Sequence, residues 1–438
     1  MSSLTLLDKL QMPLLGYRMR RAVTGVGKVN GSVGWSRTSE RARVAMNSHA
    51  IKVRSIMRKR YLFAPGPTSV PPEILQELAK PVLHHREPQF LATLAEVRDG
   101  LRYLFQTSGE VIILSASGTG AMEAAVANLF CRGDRALVIS AGKFGERWAE
   151  ICRAYGVEVV TLEVPWGEAV KPSDVADVLA RDASIRGVCV QACETSTGAA
   201  HDVRALGEIV KAHPQTLLLV DAVSALGATD IRTDDWGLDA VVAGSQKAMM
   251  LPPGLAFVAM SDRAWQRAAQ TDLPRYYFDL PKIREELTQD DHPYTLPTPL
   301  VVALREALRV IRAEGLDHIF QRHRQLAEAT RAGIKALGLS LLAEKSPSDA
   351  LTVVRVPQGI DGARIPKLFH ELCNITIVGG QDRLRGKVFR LAHMGYVDAF
   401  DVITMMSAVE FVLHRLGYPI EWGVGVRAAQ EVLATTIV

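Results

Sequence analysis

Hydrophobic positions follow a regular alternation from residue 61 onward. Short runs rich in Val, Ile, Leu and Ala alternate with longer stretches in which apolar residues recur at helical spacing. Near-continuous apolar strands separated by helices are typical of a mostly parallel sheet that is buried on both faces. Seven strands are predicted, at Val111–Ser115, Ala136–Ser140, Val157–Val164, Gly187–Cys193, Leu217–Val220, Ala240–Ala243 and Ala256–Met260, with helices between most of them, for example at Ala121–Leu129, Arg147–Ala154, Pro172–Arg181 and Val203–Ala212.

The pattern changes after Met260. Residues 270–299 are rich in Pro, Asp, Tyr and Thr and show no clear periodicity, as in functional or interfacial loops. Helices are then predicted at Leu300–Glu314, Leu316–Leu337, Gly362–Leu372 and Ala399–Leu416, and strands at Leu351–Val356, Ile375–Val378 and Val388–Ala392. We therefore predict an α/β fold: a large domain at 58–300 whose seven-stranded sheet is sandwiched by helices, and a smaller α+β domain at 301–438.

The composition is that of an ordinary globular protein. Of 438 residues, 48% are hydrophobic and 22% are charged, which argues against a disordered chain or a coiled coil. No apolar run approaches the roughly 18–20 residues that cross a bilayer, so we expect no membrane association. Five scattered cysteines, without a C-x-x-C pair, indicate a reducing compartment and so a cytoplasmic location. We expect no metal site.

Residues 1–57 form a basic extension that we expect to be disordered. Residues 1–60 contain 13 Lys and Arg against two acids, whereas the rest of the chain carries 38 basic and 45 acidic residues. Since the folded body is mildly acidic, nucleic-acid binding is not expected. The extension is interpreted as an organelle transit peptide, as an arm that contacts an anionic partner, or as a segment without function if translation starts at Met57.

A small-residue turn follows the first predicted strand of the sheet. Residues Ser115–Ala121 read Ser-Ala-Ser-Gly-Thr-Gly-Ala and lead directly into a predicted helix. Small residues let backbone N–H groups approach a phosphate, and the start of a helix favours negative charge. The turn is neither a Walker A loop nor a Rossmann fingerprint. By itself it is equally consistent with an ordinary strand-to-helix connection.

Three charged residues follow or interrupt apolar strands. Asp221 comes directly after an apolar strand, where a partly desolvated carboxylate would pair with a cation or act as a helix cap or local turn residue. Lys247 follows the next apolar strand and is surrounded in the sequence by small residues and Met. Desolvation would make its amine nucleophilic. The alternative is a surface lysine, since most single lysines lie at the surface. Arg390 interrupts an apolar strand and would bind a carboxylate or form a structural salt bridge. Together with the turn they are the parts of a pyridoxal phosphate site.

Five stretches carry a resemblance to a known family. They are Phe63–Thr68, Ser115–Glu123, Glu194–Gly198, Asp221–Gly227 and Gly244–Ala248. In them, and from about Tyr61 to Leu416, the chain resembles the class V, fold-type I aminotransferases that depend on pyridoxal phosphate, specifically the alanine–glyoxylate and serine–pyruvate group. The resemblance implies a transaminase that moves an amino group from alanine or serine to glyoxylate or pyruvate.

The resemblance also implies roles for individual residues. Lys247 would form the Schiff base and move the proton at Cα, Asp221 would keep the ring nitrogen protonated, and Arg390 would bind the substrate carboxylate. Thr195 would contact the phenolic oxygen and Phe144 would stack on the ring. The other implied contacts are the phosphate-binding turn Ser117, Gly118 and Thr119, the phosphate ligand Gln246, Gly66 at the mouth of the site, and Thr295, which would reach the phosphate of the partner subunit in a homodimer.

Several alternatives remain open at this point. Relatives of the group act on aspartate, aminoethylphosphonate or ureidoglycine, and the sequence separates these substrates poorly. A cysteine desulfurase would need a reactive cysteine on a mobile loop, whereas Cys373 lies in a helix-like stretch. A non-catalytic subunit with this fold would be expected to lack Lys247, Asp221 or Arg390, and all three are present. His84–Arg86 are interpreted either as lining the substrate channel or as structural.

Overall fold

The seven predicted strands form one sheet in the computed structural model, which describes residues 59–288 and 291–435. The strands of the protein are β1 (Tyr61–Leu62), β2 (Val111–Leu114), β3 (Arg135–Ser140), β4 (Glu158–Glu163), β5 (Ile185–Gln191), β6 (Cys193–Glu194), β7 (Ala199–Ala200), β8 (Leu217–Asp221), β9 (Ala240–Gly244), β10 (Ala256–Met260), β11 (Leu351–Arg355), β12 (Ile375–Thr376), β13 (Val378–Gly379) and β14 (Val388–Ala392). The sheet order is β2-β10-β9-β8-β5-β3-β4, with β10 antiparallel to both of its neighbours. The predicted mostly parallel, seven-stranded sheet is confirmed.

Helices connect these strands. They are α1 (Pro72–Leu78), α2 (Pro88–Phe105), α3 (Gly118–Leu129), α4 (Lys143–Ala154), α5 (Pro172–Arg181), α6 (Val203–Lys211), α7 (Asp262–Ala268), α8 (Leu280–Leu287), α9 (Thr298–Glu314), α10 (Leu316–Ala336), α11 (Arg364–Cys373), α12 (Ala399–Arg415) and α13 (Val424–Leu433). A short 3₁₀ turn lies at Asp382–Leu384.

Alternate residues of each central strand belong to different cores. Val220 and Val241 pack in one apolar cluster with α2, α6 and α9, whereas Leu219 and Val242 pack in a second with α3, α4 and α7. This division follows from the two-residue period of a strand whose two faces are both covered. Because both faces are apolar, polar groups that bind a ligand are left to the edges where the strands end.

The C-terminal region has its own core. Strands β11, β14 and β13 form a three-stranded antiparallel sheet, and α11 and α12 pack in the cluster that includes it. The single strand predicted at Ile375–Val378 is two short strands, because β12 pairs with β1 while β13 pairs with β14. The first described residues of the chain therefore pack with this region, and Phe63 lies in its core.

Residues 270–299 contain a helix that the periodicity does not indicate. Helix α8 has eight residues, so it presents only two turns of apolar pattern. Its start is defined locally, because the Asp279 carboxylate accepts a hydrogen bond from the N–H of Lys282 at 3.2 Å and Pro281 occupies the first turn. The expectation of an irregular segment was therefore wrong at α8.

The predicted division into domains and the predicted disorder of the basic extension both stay predictions. The described residues form one compact unit, so a division into domains at residue 300 remains a prediction. The basic extension at 1–57 lies outside the described residues. Within residues 59–288 and 291–435, no helix is both long enough and apolar enough to cross a bilayer.

Candidate active site

The predicted site residues meet where the parallel strands end. Strand β8 ends at Asp221, β9 ends at Gly244 just before Lys247, and β2 ends before the turn that starts α3. Strands β8 and β9 are parallel neighbours, so Asp221 and Lys247 leave the sheet side by side. This is the edge at which open α/β sheets bind ligands.

Lys247 is a buried lysine with a defined position. Its Nζ donates a hydrogen bond to the backbone oxygen of Pro65, and its own backbone oxygen accepts one from Thr68 Oγ1 at 2.8 Å. Gly66 has a φ of +126°, a conformation that favours glycine, and an added Cβ would also displace the end of the lysine side chain. Burial lowers the pKa of Lys247 to about 8, against the opposing effect of Asp221. The alternative of a surface lysine is therefore wrong.

Asp221 is the matching acid. It is buried, and Oδ1 accepts a hydrogen bond from the N–H of Val223 at 2.8 Å. Burial raises the pKa of Asp221 to about 6, although that N–H and the nearby Lys247 and Arg147 oppose the rise. The carboxylate thus makes a local turn contact, as one alternative expected, and remains a buried acid that a cation would stabilise.

The small-residue turn leaves donors free for an anion. Helix α3 begins at Gly118, and the exposed N-cap residue Ser117 makes no side-chain hydrogen bond to its first turn. A Cβ at Gly118 would lie 2.6 Å from Val223 Cγ2, so a side chain has no room there. Gln246 Oε1 is buried without a hydrogen-bond partner among the described residues. N–H groups at a helix start that no side chain caps among the described residues suit a phosphate. The Gln246 amide could add a donor through its NH₂ group.

Thr119 and Phe144 are linked by Arg147. Phe144 lies in the first turn of α4, and the Arg147 guanidinium lies over its ring at 4.7 Å from the centroid. Arg147 Nη1 also donates to Thr119 Oγ1 at 3.0 Å. Arg147 was not predicted as a site residue, although its position three residues after Phe144 on one helix face indicates this contact.

Thr195 and Arg390 complete the cluster. Thr195 Oγ1 shares a hydrogen bond of 2.7 Å with Ser224 Oγ, another residue that the sequence analysis missed. Arg390 donates from Nη1 to the Thr195 backbone oxygen at 3.3 Å and from Nε to that of Gly379 at 3.0 Å. Burial lowers the pKa of Arg390 to about 10, while nearby Glu194 opposes the shift. Within the described residues no carboxylate lies at ion-pair distance from Arg390.

Three other residues considered from the sequence, Thr295, Arg86 and Cys373, lie on other segments of the chain. Thr295 is exposed, in the segment before α9, and in the described parts of the chain no hydrogen bond joins it to the other site residues. Arg86 Nε pairs with Asp291 Oδ2 at 2.9 Å, and the choice between a channel and a structural role for His84–Arg86 stays open. Cys373 is the last residue of α11 and half-buried, so it is not on a loop.

The chain belongs to a known family. The family described as "Aminotransferase class-V" matches residues 60–392, so the chain is a member of the class V aminotransferases, which depend on pyridoxal phosphate. This confirms the fold, the enzyme class and the cofactor expected from the sequence. The matched region includes strands β2, β8 and β9 and the small-residue turn that starts α3.

Individual relatives are similar over most of their length. The chain is 45% identical to the small subunit of a soluble hydrogenase from Synechococcus sp., over 86% of this chain and 99% of that protein. It is 36% identical to the L-aspartate–glyoxylate aminotransferase of Paracoccus denitrificans, over 84% and 95%. The crystal structure of alanine–glyoxylate aminotransferase from Nostoc sp. superposes with a TM-score of 0.78 at 35% identity, over 82% and 96%.

Proposed function

We propose that this enzyme transfers the amino group of a small amino acid, alanine or serine, to a 2-oxo acid, glyoxylate or pyruvate. The observation that carries the proposal is the buried Lys247 beside the buried Asp221, with Arg390 in the same cluster. The substrate class is supported by relatives whose names pair serine, alanine or aspartate with glyoxylate. Aspartate, aminoethylphosphonate and ureidoglycine are the alternative donors.

The residues present fit pyridoxal phosphate. The N–H groups of Ser117–Thr119 would hold the phosphate, because the side chain of Ser117 does not cap the helix start. The NH₂ group of the Gln246 amide would donate a further hydrogen bond to it. Phe144 would stack on the ring, and Asp221 would hold its nitrogen. Bound pyridoxal phosphate supplies an aldehyde that condenses with amines and a ring that accepts the electrons left when the Cα proton departs.

Lys247 holds and moves the proton. With a pKa near 8, part of the lysine population is neutral at neutral pH and can accept the Cα proton. Its Nζ is held against Pro65, at the Gly66 mouth of the site, so the amine has a fixed starting position. Arg390 would bind the α-carboxylate through its planar guanidinium and so orient Cα toward the lysine.

We also propose that the active unit is a homodimer in which Thr295 completes the partner's phosphate site. Support comes from the exposure of Thr295 and from neighbouring aromatic side chains, since Tyr276 is 76% exposed and Tyr277 is 40% exposed. Exposed aromatic residues are enriched at protein interfaces.

The five free cysteines support a reducing, cytoplasmic location, with organelle targeting by residues 1–57 as the alternative.

Subunit mixing tests the shared site. Lys247→Ala removes the amine, and Thr295→Glu places a negative charge where the partner's phosphate would bind. If sites are shared, a mixture of the two inactive variants regains activity, because one site in each mixed dimer has an intact lysine and an intact threonine. A mixture that stays inactive while native mass spectrometry shows mixed dimers would overturn the sharing of Thr295.

A half-reaction screen tests the donor. The protein loaded with pyridoxal phosphate is mixed singly with alanine, serine, aspartate, glycine, aminoethylphosphonate and cysteine. We expect alanine or serine to yield pyridoxamine phosphate and the matching 2-oxo acid, in amounts equal to the protein. Conversion by aspartate alone would move the assignment to the alternative donors, and no conversion by any amine would contradict the proposed activity.

The hydrogenase relative suggests a second candidate, an assembly subunit without transaminase activity. That relative is 45% identical to this chain, which is the observation in its favour. The aminotransferase is preferred because Lys247 and Arg390 are buried charges without ion-pair partners among the described residues, an arrangement that destabilises a fold unless a ligand uses it. An unreactive protein in the half-reaction screen would favour the subunit.

A further inference from the structure

Helix α4, which carries Phe144, begins without a cap of its own. Its N-cap residue is Gly142, which has no side chain to accept the first N–H groups. Those groups are instead bound by the turn that carries Thr195. The N–H of Lys143 donates to Ser196 Oγ at 3.0 Å, and the N–H groups of Phe144 and Gly145 both donate to Glu194 Oε2 at 3.0 Å.

The hydrogen bonds of the Glu194 carboxylate all go to the start of α4 and to Ser196. It is 0% exposed, and Oε1 accepts from the backbone N–H of Ser196 at 3.1 Å and from its hydroxyl at 2.5 Å. A Cβ on Gly142 would lie 2.5 Å from Cγ and Cδ of Glu194, so the approach requires glycine. The carboxylate therefore links the start of α4 to the segment that follows β6.

This link joins three groups that face the proposed substrate. Phe144 is in the capped turn of α4, Thr195 is the residue after Glu194, and Arg390 donates to the Thr195 backbone oxygen. The negative charge of Glu194 also favours the charged form of Arg390 and raises its pKa relative to burial alone. A shift of the carboxylate would thus displace Phe144 and Thr195 relative to each other.

We propose that Glu194 is a positioning residue that fixes the ring of Phe144 against Thr195 and Arg390, and so sets the affinity for cofactor and amino acid. The proposal rests on the roles assigned above to those three residues. Glu194→Gln tests it, because an amide keeps the shape but has one acceptor oxygen where the carboxylate has two. At least one of the four N–H and O–H donors then faces an NH₂ group.

Glu410 provides a matched control within the same chain. It is 3% exposed, and its carboxylate accepts from the N–H groups of Gly423, Gly425 and Val426 at 2.8, 2.9 and 3.1 Å. It caps α13, in the C-terminal core, and none of its partners belongs to the proposed site. Glu410→Gln therefore makes the same chemical change at a second buried helix start.

The experiment compares Glu194→Gln, Glu410→Gln and Phe144→Ala as loaded enzymes. We would measure the rate of cofactor release into an excess of trapping protein and the visible circular dichroism of the bound cofactor. We would also measure the melting temperature, KM and kcat. Both glutamine variants should melt at lower temperature. Only Glu194→Gln should release the cofactor faster, by about tenfold or more, weaken the dichroism and raise KM for the amino acid by a similar factor.

Three outcomes are decisive. Equal cofactor release and dichroism in Glu194→Gln and Glu410→Gln would overturn the positioning role while leaving the proposed function intact. Wild-type cofactor release in Phe144→Ala would contradict the proposed stacking itself. If Glu194→Gln does not fold, Ser196→Ala removes one donor and one acceptor of the same link; unchanged dichroism and release in that variant would also overturn the proposal.

Discussion

The two edges of the central sheet use buried charge in opposite ways. At the amino edge, just before β9, the Asp239 carboxylate accepts from Leu218 N–H and Arg263 Nη2, both at 2.9 Å, and from Ser261 Oγ at 2.7 Å. At the carboxyl edge, Lys247 and Asp221 have no ion pair among the described residues, and burial shifts the pKa of each toward its neutral form.

The difference separates groups that stabilise the fold from groups that await a ligand. A buried charge whose hydrogen bonds are all made supports the structure, whereas one left without a partner destabilises it. The amino edge has partners supplied by α7, which follows the antiparallel strand β10 back to that edge. Under the proposed function, cofactor and substrate supply the partners at the carboxyl edge, so we expect mutations at the two edges to have opposite consequences.

The largest expected effect is that of Lys247→Ala. We expect kcat to fall by at least about 10³-fold, because the group that moves the Cα proton is lost. The melting temperature of the cofactor-free protein should stay the same or rise, since a buried charge is removed. Steady-state kinetics and calorimetry check both expectations, and retained turnover would contradict the assignment of the lysine.

Arg390→Ala should act mainly on substrate binding. Loss of a charged hydrogen bond in a desolvated site is expected to raise KM for the amino acid by about 10- to 150-fold. Cofactor binding should change little, which pyridoxal phosphate titration measures. A KM equal to that of the wild type would remove Arg390 from the substrate site.

Asp239→Asn should show the reverse behaviour at the opposite edge. The asparagine has one acceptor for three donors, so we expect a loss of about 1–3 kcal/mol in the free energy of unfolding. The kcat and KM at 25 °C should remain within about twofold of the wild type, since none of the partners of Asp239 belongs to the proposed site. Denaturant unfolding combined with kinetics tests the contrast, and a stable but inactive variant would break it.

The smallest expected effect is a pH dependence of stability. In the cofactor-free protein Lys247 has a pKa near 8, below its ordinary value of 10.5, so the unfolded chain binds more protons between these pH values. The contribution of Lys247 to stability therefore rises with pH across this window. Lys247→Met should be more stable than the wild type at pH 7, and the gap in melting temperature should narrow between pH 8 and 10.5. A constant gap would indicate an ordinary lysine pKa.

The sequence predicted the sheet closely and the short elements poorly. Each sheet strand was placed within two residues of its observed bounds, because a strand covered on both faces is a continuous apolar run. The two-turn helix α8 and the division of residues 375–379 between two sheets were missed. The helix start depends on a single capping hydrogen bond, and the division of the strand depends on pairing with distant segments. Neither feature produces a periodic pattern of apolar residues in the sequence.

Site residues were predictable where they follow strands. Asp221, Lys247 and the turn at Gly118 lie next to apolar runs that locate the carboxyl edge, and the structure brings them together there. Arg147 and Glu194 were missed, since a charged residue on a helix and an acid in a short strand are ordinary in isolation. The position of Arg147 three residues after Phe144 indicates only their local contact. The hydrogen bond from Arg147 to Thr119 spans 28 positions, and the one from Phe144 to Glu194 spans 50.

The amino-acid sequence by itself thus determined the parallel sheet, the family and the residues that end its strands, because these properties are local patterns of apolar and small side chains. Only the tertiary structure decided which charges lose contact with water. Burial, rather than residue type, shifts the pKa of Lys247 and Asp221 in opposite directions. Burial of a charge depends on every segment packed around it, and no single stretch of sequence contains that information.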